Sequence, residues 1–158
     1  ILIPLDGSKV GETALRYVEE LMSGLVPGEK VEVTLFQVVP LLKREIVAGG
    51  EGFDVPYTEE EMEPIKQKAI DYLDKTGEAL RSKGAIVKCA VRVAEGGVGA
   101  AEEIIKAEGE VNADLVAMST HGRHGISRWA FGSVTDKVLR GGNVPVLMVR
   151  VRKGTVKS

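Results

Sequence analysis

With 158 residues, the chain has room for one domain of ordinary size, since typical domains hold about 100 to 150 residues. A formal net charge of -2 and a pI near 5.8 argue against a general nucleic-acid-binding surface, which is usually basic. No apolar run approaches the roughly 20 residues that a membrane-spanning helix requires. Cys89 is the single cysteine, which excludes an intramolecular disulfide and a thiolate metal cluster and favours a cytoplasmic protein.

Short apolar runs alternate with helical patterns along the chain. Runs rich in β-branched residues predict five strands, over residues 1–5, 31–39, 86–93, 115–118 and 144–151. Apolar residues at helical spacing predict four helices, over residues 11–22, 65–81, 98–110 and 134–140. The alternation predicts an α/β fold, in which helices cover both faces of an open, doubly wound, five-stranded parallel sheet. We expect a single domain over residues 1–152 and a flexible tail over residues 153–158.

Local signals predict where two of these helices begin. Ser8 is expected to cap the first helix, and Thr58 and Glu61 have the spacing of a capping box ahead of the second. Proline has a fixed φ and no amide hydrogen, so it fits best in a first helical turn. We therefore expect the continuous second helix to begin at Glu63 or Pro64.

Residues 41–57, between the second strand and the second helix, show no convincing period and include Gly49, Gly50 and Gly52. The segment is longer than most connections in compact domains. We expect a mobile excursion, which either closes over a ligand as a lid or forms a plain surface loop.

The region after the fourth predicted strand concentrates positive charge in a weakly acidic protein. Residues 115–135 contain no carboxylate, but they contain two arginines and both histidines of the chain. In open α/β sheets, ligands bind beyond the carboxyl ends of the strands, where this region begins. Small residues at positions 119, 122 and 125 would let backbone amides approach an anion, and Ser133 and Thr135 would add hydroxyls at the positive end of a helix. The pattern is typical of a phosphate-binding loop.

A turn followed by a helix N-cap would require a similar sequence without any ligand. The loop alone therefore leaves two interpretations open, a phosphate-binding loop and a plain turn. The chain contains no G-x-x-x-x-G-K-[ST], and Gly97-Val98-Gly99 lacks the third glycine of the dinucleotide-binding fingerprint. A Rossmann oxidoreductase is therefore disfavoured. A general base needs a nucleophile or carboxylate placed beside it in the fold, and the sequence places none beside His121 or His124, so we assign no catalytic residue.

One longer motif runs through this region. Ser119-Thr120-His121-Gly122, nine further residues and Gly132-Ser133 follow the spacing G-x2-G-x9-G-[ST], with serine in place of the first glycine. In this motif the chain resembles the nucleotide-binding branch of the universal stress protein family. The resemblance extends over nearly the whole length, from residues 1–8 to residues 144–149.

This resemblance implies a strand order of 3-2-1-4-5 and ATP as the bound cofactor. On the adenine side it implies Asp6 and Val38, with Pro4 nearby; Met118 either lines the ribose and base region or is a buried strand residue. On the phosphate side it implies Ser119, Thr120, His121, Gly122, Arg123, His124, Gly125, Gly132, Ser133, Val134 and Thr135. The planar guanidinium of Arg123 would reach terminal phosphate oxygens. Mg²⁺ or Mn²⁺ is expected only on the phosphates, because Asp6 is a lone carboxylate.

The last predicted strand, residues 144–151, is long, apolar and expected at a sheet edge. The family resemblance implies a homodimer through this strand. Our leading hypothesis is a homodimeric module that changes its shape or partner with the bound adenine nucleotide during the stress response, with at most weak ATPase activity. The alternatives are a slow ATP hydrolase or adenylyl-transfer enzyme on the same fold, and a structural stress protein with a remodelled pocket.

Overall fold

The computed structural model describes residues 1–25, 29–95, 97–120 and 132–150. The strands in these ranges are β1 (Leu2–Pro4), β2 (Glu32–Pro40), β3 (Lys43–Ala48), β4 (Glu51–Pro56), β5 (Ile86–Ala94), β6 (Val116–Thr120) and β7 (Val146–Arg150). The helices are α1 (Thr13–Ser23), α2 (Glu59–Ser82), α3 (Ala100–Glu110) and α4 (Ser133–Gly141). No helix within these ranges is both long and apolar enough to cross a membrane. The predicted tail, residues 153–158, lies outside the described residues.

A parallel sheet of five strands, in the order β5-β2-β1-β6-β7, forms the centre of the domain. Numbered along the chain within this sheet, the order is 3-2-1-4-5, so the predicted fold class and strand order are confirmed. The chain runs outward from β1 through β2 to β5, and it then returns to the other side of β1 with β6. The carboxyl ends of β1 and β6 therefore flank the point where the winding reverses, and open α/β sheets leave a crevice there.

Helices cover both faces of the sheet, and each face has its own apolar core. On one face, Ile3 and Leu35 pack with Leu73 of α2 and with residues of α1. On the other face, Leu2 and Phe36 pack with residues of α3 and α4. Leu2 and Ile3 are neighbours in the chain, and both are fully buried. Because the central strands β1 and β6 are covered on both sides, they begin as continuous apolar runs instead of alternating ones.

The predicted cap of α1 is wrong. The helix begins at Thr13, its N-cap residue is Glu12, and no side chain in the described part of the chain caps it. Ser8 instead stabilises the turn before the helix, because its hydroxyl oxygen accepts a hydrogen bond from the Gly11 amide at 3.0 Å.

The predicted start of α2 at Glu63 or Pro64 is also wrong, because the helix begins at Glu59. Both bonds of the capping box are present: the Glu61 amide donates to the Thr58 hydroxyl at 3.3 Å, and the Thr58 amide donates to the Glu61 carboxylate at 2.8 Å. Pro64 lies further inside the helix, where its missing amide hydrogen removes one helical hydrogen bond.

Residues 41–57 contain a regular element where we predicted an irregular one. β3 and β4 pair antiparallel, with Ile46 opposite Phe53. The turn between them is Gly49-Gly50, and both glycines have positive φ, 65° and 87°. Two consecutive residues of this kind are typical of a tight two-residue hairpin turn. The expectation that this segment is mobile or closes over a ligand stays a prediction.

Removing the cap of α2 is expected to destabilise the protein. Thr58→Ala deletes the oxygen that accepts the Glu61 amide hydrogen, and loss of a threonine N-cap lowers the free energy of unfolding by about 1 kcal/mol. Urea unfolding followed by circular dichroism measures this change. Thr58→Ser keeps the capping oxygen and is the matched control. Equal stability of the alanine and serine variants would contradict a stabilising cap.

Candidate functional site

The carboxyl ends of β1, β2 and β6 and the first turn of α4 enclose a cavity of about 490 Å³. This cavity lies where the strand order reverses. Its volume falls in the range of roughly 300 to 1,000 Å³ that is usual for small-molecule sites. Apolar side chains such as Phe36, Val38 and Ile104 form much of its wall, and a few polar groups are placed among them.

The structure brings together most of the predicted site residues that it describes. The ones that line the cavity are Pro4, Asp6, Val38, Met118, Ser119, Gly132, Ser133, Val134 and Thr135. Thr120 is not part of this lining, and its buried hydroxyl donates to the carbonyl oxygen of Val149 at 3.4 Å. The remaining predicted residues, His121, Gly122, Arg123, His124 and Gly125, lie outside the described residues.

Sequence reasoning missed the rest of the lining. These residues are Leu5, Gly11, Phe36, Gln37, Val39, Pro40, Leu42, Ile65, Ala100 and Ile104. Most are apolar and belong to no motif. Because Val38 was predicted to contact the ligand from the end of β2, its neighbours in that strand could have been predicted as well. Nothing in the sequence indicated Ile65, which belongs to α2.

Asp6 is held in a fixed orientation at the end of β1. Its Oδ1 atom accepts two hydrogen bonds from Ser8, one from the backbone amide at 2.9 Å and one from the hydroxyl at 2.5 Å. Gly11 packs directly against this carboxylate, because a Cβ atom at position 11 would lie 2.6 Å from Asp6 Oδ1. The glycine therefore allows the turn to close on the carboxylate that borders the cavity.

Ser119 connects the end of β6 to the same turn. Its hydroxyl donates to the carbonyl oxygen of Gly11 at 3.1 Å. Asn112 is the one non-glycine residue with a positive φ in the described part of the chain. Ser119 therefore occupies the first glycine position of the motif without a glycine-like backbone.

The first turn of α4 forms a wall of the cavity that favours anions. Gly132 is the N-cap residue, and no described side chain caps the helix. Asp136, the acidic residue of this turn, accepts hydrogen bonds from Arg140 Nε at 3.1 and 3.0 Å, so its carboxylate is already paired. The first amides of a helix have no intrahelical partner and carry a partial positive charge. A negatively charged ligand group is therefore stabilised at this wall.

Residues 1–150 match the sequence model described as the universal stress protein family. The chain belongs to the universal stress protein family. It is similar to the universal stress protein MJ0577 of Methanocaldococcus jannaschii, with 28% identity over 156 residues that cover 95% of this chain and 93% of that protein.

Solved structures of universal stress proteins share this fold. The MJ0577 structure has a TM-score of 0.70 at 23% identity, and the match covers 97% of this chain and 96% of the MJ0577 chain. The universal stress protein of Archaeoglobus fulgidus in complex with dAMP has a TM-score of 0.55 at 21% identity, over 93% of this chain and 94% of that one. A universal stress protein family protein of Arabidopsis thaliana with AMP bound has a TM-score of 0.58 at 14% identity, over 99% of this chain and 94% of that one. At these identities the likeness establishes the fold.

In this universal stress protein, the carboxylates of Glu12 and Asp6 both act electrostatically on Tyr72 of α2. The hydroxyl of Tyr72 in α2 donates to Glu12 Oε1 at 3.2 Å, and Lys9 Nζ lies 2.8 Å from the other oxygen of Glu12. Burial raises the pKa of Tyr72, and the negative charges of Glu12 and, more weakly, Asp6 raise it further. An anionic group of a ligand is therefore disfavoured near Asp6 and favoured at the α4 wall.

The raised pKa of Tyr72 predicts a loss of stability at high pH. The unfolded chain releases this proton near pH 10, the ordinary value of tyrosine, whereas the folded protein keeps it. The stabilisation is thus complete below about pH 10 and decreases as the pH rises further. Urea unfolding between about pH 9 and about pH 11 should show a smaller decline for Tyr72→Phe than for the unsubstituted protein.

The matched control for this experiment is Tyr17→Phe, at an exposed tyrosine of α1. Its stability should follow the unsubstituted protein across the same pH range. If the free energy of unfolding of Tyr72→Phe falls with pH as much as that of Tyr17→Phe, the proton of Tyr72 does not account for the loss of stability at high pH.

Proposed function

We propose that this universal stress protein binds an adenine nucleotide, with ATP as its ligand, in the cavity beside β1 and β6. The observation that carries the proposal is the combination of two features in one cavity: a carboxylate oriented by Ser8, and the anion-favouring first turn of α4. The A. fulgidus and A. thaliana proteins hold dAMP and AMP. These complexes support an adenine nucleotide as the ligand of this chain.

The adenosine part of the ligand is proposed to contact Asp6 and the end of β2. A carboxylate can accept a hydrogen bond from a ribose hydroxyl or from the amino group of adenine. Val38, Met118 and Pro4 offer apolar surface for the sugar and the ring.

The phosphates are proposed to bind at the first turn of α4 and at residues 119–125. Backbone amides of the α4 turn, where Ser133 and Thr135 also carry hydroxyls, would donate to phosphate oxygens. In the segment that follows β6, Arg123 would pair with a terminal phosphate. Thr120 would contribute through its backbone, since its hydroxyl is bonded to Val149. A role for Mg²⁺ or Mn²⁺ on the phosphates stays a prediction.

Binding is favoured over catalysis as the function of this cavity. Asp6 is the one ionisable side chain among the described residues that line it. General acid–base chemistry needs a positioned proton donor or acceptor at the reacting group, commonly with a second residue to orient it. Slow ATP hydrolysis or adenylyl transfer is the alternative, and it predicts steady release of phosphate or pyrophosphate from bound ATP.

The proposed module is a homodimer that responds to its nucleotide, formed through β7. This strand pairs with β6 on one side and is at the edge of the sheet in the described structure. Val146, Leu147 and Met148 are only partly buried in the single chain. An unpaired strand edge with apolar side chains is a template for pairing with a second strand, and a twofold axis would pair β7 with its own copy.

Sedimentation equilibrium tests the dimer. The expected mass is twice that of one chain, and Met148→Lys should shift the protein toward the monomer, because a charged side chain on an edge strand opposes pairing. Val47→Lys places the same change on an exposed residue of the hairpin and should leave the mass unchanged. A monomeric mass for the unsubstituted protein would contradict the dimer.

Isothermal titration with ATP tests the nucleotide proposal. Asp6→Ala is expected to weaken ATP binding by roughly ten- to hundredfold, since a hydrogen bond to a charged group contributes about 1.5 to 3 kcal/mol. Asp54→Ala removes an exposed carboxylate of the hairpin and should bind ATP as tightly as the unsubstituted protein. Unchanged affinity in Asp6→Ala would show that the nucleotide binds elsewhere, and steady phosphate release would favour the enzyme.

A further inference from the structure

β6 pairs with its two neighbouring strands over very different lengths. It pairs with β7 at every position from Val116 to Thr120, whereas its register with β1, among the described residues, is limited to Leu2 opposite Val116. The ladder between the two strands that flank the reversal of the sheet therefore ends at this pair, and the cavity lies beyond it. On the β1 side, backbone pairing does not fix the position of the last residues of β6.

Ser119 supplies a side-chain contact at this place. Its hydroxyl donates to the carbonyl oxygen of Gly11 at 3.1 Å, and both residues line the cavity. Gly11 in turn lies against the carboxylate of Asp6, because a Cβ atom at position 11 would be 2.6 Å from Asp6 Oδ1. The hydroxyl therefore joins the strand that leads into residues 121–125 to the turn that carries the proposed adenosine contact. A glycine, the residue of the motif at this position, has no hydroxyl and cannot form this bond.

The structure assigns Ser119 as a positioning residue, whose hydroxyl fixes the separation between the adenosine end and the phosphate end of the nucleotide site. This assignment rests on the proposed function. A ligand that contacts both ends gains affinity when they are held at the correct separation before it binds, because less freedom is lost on binding. A ligand that contacts only one end gains nothing from that separation. The hydroxyl is thus expected to favour ATP over either of its two parts.

Ser119→Ala tests the assignment, since it removes the hydroxyl and keeps the Cβ atom. The affinities for ATP, adenosine and inorganic triphosphate are measured for this variant and for the unsubstituted protein, by calorimetry for ATP and by NMR titration for the two smaller ligands. The affinity for ATP should fall by roughly three- to tenfold, the effect of losing one neutral hydrogen bond. The affinities for adenosine and for inorganic triphosphate should not change, because Ser8 still orients Asp6 and the first turn of α4 is unaltered.

Two further variants serve as controls. Ser119→Thr keeps a hydroxyl at the same position and should bind ATP more tightly than Ser119→Ala does. Ser23→Ala removes an exposed hydroxyl of α1, which donates to the carbonyl oxygen of Glu19 at 2.9 Å. This variant should bind all three ligands with the affinities of the unsubstituted protein.

The possible results separate the assignment from the proposed function. If Ser119→Ala keeps the full affinity for ATP, the assignment is wrong while nucleotide binding stands. If it loses affinity for adenosine or for inorganic triphosphate as strongly as for ATP, the hydroxyl acts at one end of the site, and the assignment is again wrong. If the unsubstituted protein does not bind ATP, the proposed function itself is wrong, and the assignment fails with it.

Hydrogen exchange in the ligand-free protein gives an independent readout. The amides of Gly11 and Glu12 donate within the turn, to the hydroxyl and to the carbonyl oxygen of Ser8. Their exchange should be roughly three- to tenfold faster in Ser119→Ala, since the turn has lost one hydrogen bond. The amide of Glu61, at the start of α2, should exchange at the same rate in both proteins. Equal exchange of the turn amides in both proteins would show that the turn is held without the hydroxyl, and this result would overturn the assignment.

Discussion

Gly11 allows the turn after β1 to close on the carboxylate of Asp6, where a Cβ atom would lie only 2.6 Å from an oxygen. Ser8 then holds the carboxylate with its amide and its hydroxyl, and Ser119 of β6 donates to the carbonyl of Gly11. These bonds join β1, the start of α1 and the end of β6 across the point where the winding of the sheet reverses. The crevice at a reversal follows from topology alone, but its polar lining depends on this turn.

The cavity that results has walls of different electrostatic character. Asp6 contributes a carboxylate to the lining, so this part of the cavity is unfavourable for an anion. The first turn of α4 has the opposite character, because its amides are uncapped by any described side chain. Gln37 adds a residue with a neutral amide to the lining. A ligand with a polar uncharged base at one end and phosphates at the other would be oriented by these differences before close contacts form.

The sheet could be predicted from the sequence because its strands are buried on both faces, which leaves runs such as residues 115–118 apolar throughout. The start of α2 could not, because proline favours a first helical turn, whereas the capping box of Thr58 and Glu61 forms and places Pro64 inside the helix. The hairpin was missed because its strands are almost entirely exposed and show little alternation. Asp6 and Val38 follow from a motif resemblance. Gln37 belongs to no motif, and its place in the cavity lining is visible only once the surrounding structure is known.

The exposure of β3 and β4 has a consequence for how such proteins diverge. Few of the interactions that stabilise the two apolar cores involve this hairpin, and Arg44 anchors it at its base by pairing with Glu61 and lying over the Tyr57 ring. Because lengthening a surface connection costs little free energy, insertions and deletions can accumulate here without disturbing the sheet. Leu42, at the root of the hairpin, nevertheless belongs to the cavity wall. Substitutions or insertions at the root of the hairpin would therefore change the cavity wall without altering the two apolar cores.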